Sequence, residues 1–361
     1  MKIWNRKNKE VSAIVEAGEN AIANKETEGL SQGQIVRKRF FRHRAAVISL
    51  FSLTGIVIFV FTALDVKVGP IHIPGWWKYS TDDLPELRFG DCANDTVGCP
   101  TLSLRPGFLG GTKFGFGDHP FGQDDIGRDY FALVMNGTRR SLMVMFIIGM
   151  VSATIGIVVG SIAGFYRGIV DGILMRIVDF IQTIPVIIVG AVIGFKAGHV
   201  GPAYLALLLG LFTWTGLSRL VRAQFLSLRE LEFVDAARVA GASNLRITFK
   251  HILPNAIGQI IVSVTLLMSG AILLETALSY LGFGVVPPDV SLGLLISQYQ
   301  DSFTTRPWLF WYPGFFIISI ALSINFIGDG LRDAFDPRQR RRISKKERLQ
   351  SKLVVKSSDQ N

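Results

Sequence analysis

Apolar residues are gathered into long runs along this chain, and polar and charged residues fill the intervals between the runs. A helix needs roughly 20 apolar residues to cross a hydrocarbon core about 30 Å thick. Such continuous runs lack the polar positions that mark the exposed face of a soluble helix, so the pattern predicts transmembrane helices. Six runs meet the length requirement, at residues 45–64, 142–165, 172–195, 203–220, 257–281 and 308–326.

Basic residues flank these runs on one side of the predicted membrane. Cytoplasmic segments carry an excess of Lys and Arg, and six spans place both termini on the same side. The basic residues at the two ends and on the inner turns are Arg37, Lys38, Arg39, Arg42, Arg44, Arg167, Arg176, Arg219, Arg222, Arg229, Arg238, Arg246, Lys250, Arg338, Arg340, Arg341, Arg342, Lys345 and Lys346. We therefore expect a multi-pass membrane protein with both termini in the cytoplasm.

This topology divides the chain into five parts. A polar cytoplasmic tail occupies residues 1–35, and a basic segment with the first span occupies 36–64. Residues 65–141 form an extracytoplasmic segment. A five-span core at 142–332 contains an inner loop at 228–255, and a basic cytoplasmic tail covers 333–361. The predicted fold class is therefore an all-α integral membrane protein with six transmembrane helices.

Composition agrees with lipid as the surrounding solvent. Hydrophobic residues make up 49% of the 361 residues, and they are clustered rather than spread at amphipathic spacing. The net charge of +10 is compatible with nucleic acid in principle. Its placement at the ends and inner turns fits membrane topology instead, so no nucleic-acid partner is predicted.

Motifs for chemistry are missing from the sequence. No Gly-x-x-x-x-Gly-Lys-Ser/Thr segment is present to cradle phosphates. The five histidines are scattered without metal-ligand spacing, and no Ser/His/Asp set can be assembled. We therefore predict no catalytic residue, no metal site and no cofactor in this chain.

The two cysteines, Cys92 and Cys99, both lie in the polar outer segment. A local disulfide between them and a pair of free thiols are both compatible with the sequence, because two cysteines without a larger framework give a weak signal.

The inner loop between the fourth and fifth spans reads as two short helices. Residues 228–240 have helical propensity and a charged face, Gly241 is suited to end the helix with positive φ, and Ser243 or Asn244 can cap the next helix. Pro254 is expected to break or kink that second helix. Such a helix, turn and helix would form a compact unit that another protein can grip and move.

The order Asp235-Ala236-Ala237, then Gly241, then Leu253-Pro254 closely resembles the Glu-Ala-Ala loop of the permeases of ABC importers. Asp235 stands where that family usually has Glu, and His251 where Ile is common. The resemblance implies a type I importer fold and a coupling loop that docks on a separate ATPase. It assigns ATPase coupling to the following residues: Glu230, Glu232, Asp235, Ala236, Ala237, Arg238, Gly241, Ala242, Leu253 and Pro254.

Three further stretches resemble the C-type subunit of the dipeptide and oligopeptide branch of that family. They are residues 121–129 with 137–142, residues 278–284 with Pro287-Pro288, and residues 328–333 with 336–338. Leu292 departs from the branch, which often has Trp there. The first stretch also reads on its own as a self-paired turn, with no ligand contact, that fixes how the second span enters the bilayer. Its motif residues are Gly122, Asp124, Gly127, Arg128 and Asp129.

Ionisable or polar side chains inside predicted spans are costly unless they are paired or face water. Glu275 in span five is assigned either to the channel or to an interface with another subunit. Asp179 and Gln182 in span three are similar cases, and Pro185 just beyond them predicts a kink that could serve as a hinge.

The resemblance implies a transport subunit with no chemistry of its own, working by alternating access. Its implied partners are a second, B-type permease, two ABC ATPases that bind ATP and Mg, an extracytoplasmic substrate-binding lipoprotein, membrane lipid and a peptide substrate. Nickel complexes or another small solute are the alternative substrates. A secondary carrier driven by an ion gradient is the alternative class, although no repeat maps spans one to three onto four to six.

Overall fold

The computed structural model describes residues 32–68, 71–87, 98–102, 115–197 and 200–335. By contacts the chain divides into two units, Met1–His43 with Arg332–Asn361, and Arg44–Leu331. Within the described part of the first unit, helix α1 spans Gln32–Phe40, and its last turn contains Arg37, Lys38 and Arg39. The second unit contains the helical bundle and all the sites described below.

Twelve helices, α1 to α12, are present in the described residues. After α1 they are α2 Arg44–Ala63, α3 Tyr130–Tyr166, α4 Gly168–Thr183, α5 Val186–Ala197, α6 Pro202–Thr213, α7 Thr215–Leu228, α8 Glu232–Val239, α9 Asn244–Arg246, α10 Leu253–Tyr280, α11 Leu292–Tyr299 and α12 Trp308–Phe335. A π-helical turn, Ile247–Ile252, joins α9 to α10, and a 3-10 turn, Gln300–Ser302, follows α11. Strands β1 Val66–Val68 and β2 Ile71–Ile73 pair antiparallel after α2.

Four helical stretches are long and apolar enough to cross a membrane: Arg44–Ala63, Tyr130–Tyr166, Asn244–Tyr280 and Trp308–Phe335. Two bent pairs pass the same test together, α4 with α5 at 74° and α6 with α7 at 44°. Counting each pair as one span gives six, at the six predicted positions. The predicted all-helical membrane fold is confirmed.

Several boundaries differ from the sequence pattern. Helix α3 begins at Tyr130, whereas the apolar run begins at Leu142, because the polar residues Asn136, Arg139 and Arg140 lie in the first turns of the helix. Asp129 explains the early start: its side chain accepts a hydrogen bond from the Ala132 backbone N–H and caps the helix. The kink expected near Pro185 is present as the 74° break after Thr183.

The core of the second unit consists of three clusters stacked along the bundle. The outer cluster of apolar side chains joins α2, α3, α11 and α12 around Phe131 and Leu309, which are fully buried. The middle one joins α3, α6, α10 and α12 around Ile148 and Ile272. The inner one joins α3, α7 and α10 around Phe225 and extends to Val234 of α8. Helix α3 contributes to all three clusters and is the central element of the bundle.

Candidate coupling site

The candidate coupling site is the knob, residues 230–255, between α7 and the apolar part of α10. Helix α8 of the knob ends in a Schellman motif. The Ala242 N–H donates to the Ala237 carbonyl at 3.0 Å, and the Gly241 N–H donates to the Arg238 carbonyl at 3.0 Å. Gly241 has φ +78°, a conformation that side chains with a Cβ rarely adopt. The predicted helix end at Gly241 is confirmed, and Ser243 caps α9 by accepting from the Arg246 N–H at 3.4 Å.

Three fully buried side chains anchor the knob to the bundle. Val234 of α8 and Ile247 and Ile252 of the π turn all pack into the inner cluster against Phe225 of α7. Burying such a side chain contributes about 1.5–3 kcal/mol. Helix α8 and the π turn are therefore fixed to α7 and α10 by a shared apolar contact.

Pro254 does not break the helix, so the predicted break is wrong, whereas the predicted kink stays a prediction. It stands in the first turn of α10, and the preceding turn is π-helical, with the Leu253 N–H donating to the Thr248 carbonyl five residues earlier. Proline has no N–H and its ring crowds the carbonyl four residues back, so a wider turn accommodates it. The helix from Asn244 to Tyr280 consequently continues as one membrane-length element.

The outer face of the knob is exposed. Glu230, Glu232, Asp235, Ala236 and Arg238 are all exposed, while Ala237, Ala242 and Leu253 are half-buried and Pro254 is exposed. Asp235 and Arg238 form an ion pair at 2.8 Å. Large apolar side chains share this surface, and Val239 is the most exposed of them at 91%, with Leu245 and Phe249 following. A charged surface with exposed apolar side chains is suited to a protein partner.

Polar contacts join the start of the knob to the turn between α3 and α4. Arg167 pairs with Glu230 at 2.5 Å, and the Arg229 guanidinium donates to the Phe165 carbonyl while lying over the Phe165 ring. The Glu230 pair is exposed on both sides and contributes little by itself. Its position shows that Glu230, predicted to couple to an ATPase, contacts this chain's own turn between α3 and α4.

Helix α4 is held against α7 by two further ion pairs. The Arg222 guanidinium donates two hydrogen bonds to the Asp171 carboxylate, from Nε to Oδ1 at 2.5 Å and from Nη2 to Oδ2 at 2.6 Å. Arg219 pairs with Asp179 at 2.5 Å. Only Val178 of α4 is buried. The contact between α4 and α7 therefore includes two ion pairs and few buried apolar side chains of α4.

Asp179 and Gln182 both lie on exposed surface of α4, just before the break at Pro185. Asp179 pairs with Arg219 within this chain, but both side chains stay about half exposed. Asp179 and Gln182 therefore both keep their predicted assignment to a channel or subunit interface as a prediction.

Glu275 lies elsewhere than the sequence suggested. Its side chain is fully buried within this chain, whereas a channel or subunit interface requires an exposed one. Ser141 of α3 donates to Oε2 at 2.8 Å, and Ser279 donates to Oε1 at 2.7 Å. The Ser141 oxygen also accepts from the Leu292 N–H, at 3.3 Å. Glu275 thus joins α3, α10 and α11, and its burial is compensated by hydroxyl donors.

The outer polar cluster comprises Trp77, His119, Asp124, Arg128, Asp129 and Tyr299. The Asp124 carboxylate, buried at 1% exposure, accepts from the Arg128 Nε at 2.7 Å, the Arg128 N–H at 2.8 Å and the Tyr299 hydroxyl at 3.0 Å. Burial, and then the Asp124 charge, raise the pKa of Tyr299 above its ordinary value, so its hydroxyl remains a donor.

Asp129 is the second buried carboxylate of the outer polar cluster. Besides capping α3, it accepts from the Trp77 indole at 2.7 Å and contacts the His119 Nδ1 at 2.8 Å. Gly122 and Gly127 of the same motif both have positive φ. The motif 122–129 therefore forms a self-paired turn at the start of α3. No part of the described chain tests its predicted lack of ligand contact.

Cys99 has its sulfur in a disulfide, and Cys92 lies outside the described residues. Pairing between these two cysteines stays a prediction.

One structural feature was missed from the sequence. Gly156, Gly160 and Gly164 recur every four residues on α3 and let α7 approach closely. A Cβ added at Gly160 would lie 2.5 Å from the Ser218 carbonyl oxygen, and one at Gly164 would lie 2.6 Å from the Phe225 Cβ. Small residues at this spacing are a known signal for close helix packing in membranes. The close contact on this face of α3 could therefore have been predicted from the sequence.

Comparison with known proteins decides the family. The family described as "Binding-protein-dependent transport system inner membrane component" matches residues 156–341. The chain belongs to this family. A second match, "N-terminal TM domain of oligopeptide transport permease C", covers residues 31–83. The chain is thus the membrane-spanning permease subunit of an ATP-driven importer and has no enzymatic role of its own.

Relatives of this permease extend over nearly its whole length. It is 36% identical to "Oligopeptide transport system permease protein OppC" of Mycobacterium bovis, over 87% of this chain and 97% of that one. The protein of the same name from Haemophilus influenzae is 35% identical, over 92% and 97%. Among solved structures, an inward-facing form of the MetNI methionine ABC transporter has 21% identity, covers 57% of this chain and 97% of that one, and has a TM-score of 0.45.

Membership of this family has two consequences. Permeases of such systems operate with another permease, an ATPase and a substrate-binding protein in general terms, so the permease described here is one component of a larger transporter. The alternative of a secondary carrier is set aside, because the family is defined by binding-protein-dependent transport.

Proposed function

We propose that this permease imports oligopeptides or dipeptides, as one half of a channel completed by a B-type permease. The peptide substrate rests on the names of its relatives, which are oligopeptide permeases. Its specific partners are two ABC ATPases that bind ATP and Mg and an extracytoplasmic binding lipoprotein. This chain binds no cofactor. Both termini and the knob lie in the cytoplasm, in agreement with the basic residues at the inner turns.

The observation that carries the proposal is the construction of the knob. It presents an exposed, mixed charged and apolar face around Asp235, Ala236 and Arg238, and three buried side chains fix it to the bundle. A displacement applied to that face passes into α7 and α10 without a flexible joint. In the proposed cycle, ATP binding closes the ATPase pair, the two permease knobs move together, and the bundles open outward; hydrolysis reverses the movement.

The proposal predicts that Gly241→Pro and Asp235→Lys uncouple transport. Proline cannot adopt φ +78° and would lose the Gly241 N–H bond to Arg238, while Lys reverses the charge of the gripped face. In proteoliposomes containing the whole transporter, we expect uptake of a labelled peptide to fall far more than ATP hydrolysis, with membrane insertion unchanged.

Two matched controls lie away from the knob. Gly282 also has positive φ, +80°, with no atom within 4 Å of an added Cβ, and Asp301 is an exposed acidic residue in the 3-10 turn after α11. Gly282→Pro and Asp301→Lys should keep their coupling ratio. Normal peptide uptake by both knob variants would refute the role of the knob.

Orientation and substrate have separate tests. A single cysteine at Ala240, in a background without native cysteines, should react with a membrane-impermeant maleimide only after the cells are opened. Labelling in intact cells would reverse the topology. Uptake of labelled nickel in place of peptide would leave the transporter class intact and select the alternative substrate.

A further inference from the structure

A polar cavity lies beside the end of α2 and the first turns of α3. Its volume is about 300 Å³. Polar side chains dominate its lining. They include a guanidinium, an ammonium group, hydroxyls and two carboxylates: Arg139, Lys78, Tyr79, Ser80, Thr81, Asp65 and Asp83. None of the lining residues belongs to the knob, and Trp77 alone is shared with the outer polar cluster, so transport coupling does not account for the cavity.

Arg139 is the unusual member of this lining. Its side chain is half-buried between the first turns of α3 and the residue after α2. Its two terminal nitrogens donate to neutral acceptors, the Asn136 side-chain oxygen at 3.0 Å and the Asp65 carbonyl at 3.4 Å. Among the described residues, no carboxylate lies within ion-pair distance of it, whereas the neighbouring Arg140 pairs with Asp289 at 3.2 Å. A partly desolvated cation without a counter-charge favours binding of an anion.

Aromatic residues place the cavity at the depth of lipid headgroups. Trp76 and Trp77 fold back on the end of α2, where their backbone N–H groups donate to the Thr62 and Ala63 carbonyls at 3.3 and 2.9 Å. Tryptophan is enriched where a membrane meets water. Trp77 also lines the cavity, so the Arg139 guanidinium lies beside the aromatic belt of the first span.

An apolar stripe leads from the cavity along the same face of α3. Met143, Phe146 and Met150 follow Arg139 at helical spacings of four, seven and eleven residues, which places all four on one face. Phe146 is 55% exposed and Met150 51% exposed. A polar cavity with an unpaired cation above an exposed apolar track matches one kind of ligand, an amphiphile with a charged headgroup.

We propose that this cavity binds a phospholipid with a zwitterionic phosphoethanolamine headgroup. Arg139 holds the phosphate, the Ser80 and Thr81 hydroxyls donate to its oxygens, and the Asp83 carboxylate receives the ammonium group. The acyl chains lie along Met143, Phe146 and Met150. The inference rests on the proposed orientation, which places this end of α2 in the outer leaflet. The transporter would then contain one phospholipid bound at a defined site beside α2 and α3.

A photo-crosslinking experiment tests the occupant directly. A benzophenone amino acid replaces Ser80 in the complete transporter, reconstituted in vesicles of phosphatidylethanolamine and phosphatidylglycerol. We expect an adduct with the mass of phosphatidylethanolamine. An adduct with the second permease or the binding protein, or an absence of lipid adduct, overturns the proposal. Loss of the adduct on addition of inorganic phosphate at unchanged lipid content would also overturn it, because the site would then select a free anion.

Substitution of Arg139 tests how much this residue contributes to lipid binding. Native mass spectrometry of the delipidated transporter should show phosphatidylethanolamine retention on the order of tenfold weaker for Arg139→Gln, because a hydrogen bond to a charged group is lost. Arg139→Lys should keep most of it. Arg42→Gln, which removes an exposed charge before the other end of α2, should change nothing. Equal retention by Arg139→Gln and the native chain refutes the site, while peptide uptake measured alongside tests the proposed function separately.

Discussion

The charged residues of the outer polar cluster and those of the knob differ in burial. In the outer polar cluster, Asp124 and Asp129 are buried, and each accepts several hydrogen bonds within the chain. In the knob, Asp235 and Arg238 are exposed, and their side chains pair with each other. Buried, saturated carboxylates fix local geometry, whereas exposed ones remain available to a partner. The comparison indicates that hydrogen bonds fix the end of the bundle with the outer polar cluster, whereas the charged side chains of the knob are available to a partner.

The contact that joins the two ends is the close approach of α3 and α7, and breaking it should have the largest effect. Gly160→Val would place a side chain against the Ser218 backbone and Val221, which cannot move aside without separating the helices. We expect a loss of about 3 kcal/mol or more in stability, measured as the melting temperature in detergent. Gly55→Val, where no atom lies within 4 Å of an added Cβ, is the matched control. Similar melting temperatures for both variants would contradict the packing.

Removing a buried carboxylate from the outer polar cluster should have the next largest effect. Asp129→Ala leaves the Ala132 N–H, the Trp77 indole and His119 without their shared acceptor. The expected loss is about 2–4 kcal/mol, again by thermal unfolding. Exposed Asp301→Ala should cost less than about 1 kcal/mol. A cost for Asp129→Ala as small as for Asp301→Ala would show that the outer end is not fixed by this residue.

The bidentate pair between Asp171 and Arg222 tests whether the inner end transmits movement through α4. Arg222→Asp places two carboxylates together, and we expect a loss of about 2 kcal/mol in stability and a lower ratio of peptide uptake to ATP hydrolysis. The reversed pair, Asp171→Arg with Arg222→Asp, should restore part of the ratio. Failure of the reversed pair to recover any uptake, at normal stability, would assign these residues a role other than their mutual contact.

Tyr299 offers the smallest and most specific test, through pH. Tyr299→Phe should cost about 1–2 kcal/mol at neutral pH, because it removes the bond to Asp124. The pKa of Tyr299 is raised in the folded chain, so the folded state keeps a proton that the unfolded state loses above its ordinary pKa of about 10. The advantage of the native chain over Tyr299→Phe is therefore fully present below pH 10 and declines above it. An advantage that stays constant up to pH 11 would contradict the assignment.

The spans and the knob were predictable because their signals are local. A 20-residue apolar run in a membrane forms a helix, because every backbone polar group must be hydrogen-bonded within the segment. Gly241 predicts a helix end because glycine readily adopts the positive φ found there. The start of α3 was missed because Arg139 and Arg140 lower the hydropathy of turns that Asp129 nevertheless caps.

Features that depend on contacts between distant segments were not predictable in the same way. The enclosure of Glu275 by Ser141 depends on a pairing across 134 positions of sequence, which no pattern around either residue reveals. The continuity of helix through Pro254 depends on a π turn that spacing alone does not predict. Proline often breaks or kinks a helix; the predicted break at Pro254 is wrong, and the predicted kink stays a prediction.

That unbroken course through Pro254 sets the scale of any motion within the bundle. A helix of 37 residues from Asn244 to Tyr280 is about 55 Å long at about 1.5 Å per residue. A tilt of about 5° at its Asn244 end would shift its far end by about 5 Å, comparable with the width of a peptide backbone. A small angular change at one end of this helix therefore produces a much larger displacement at the other end.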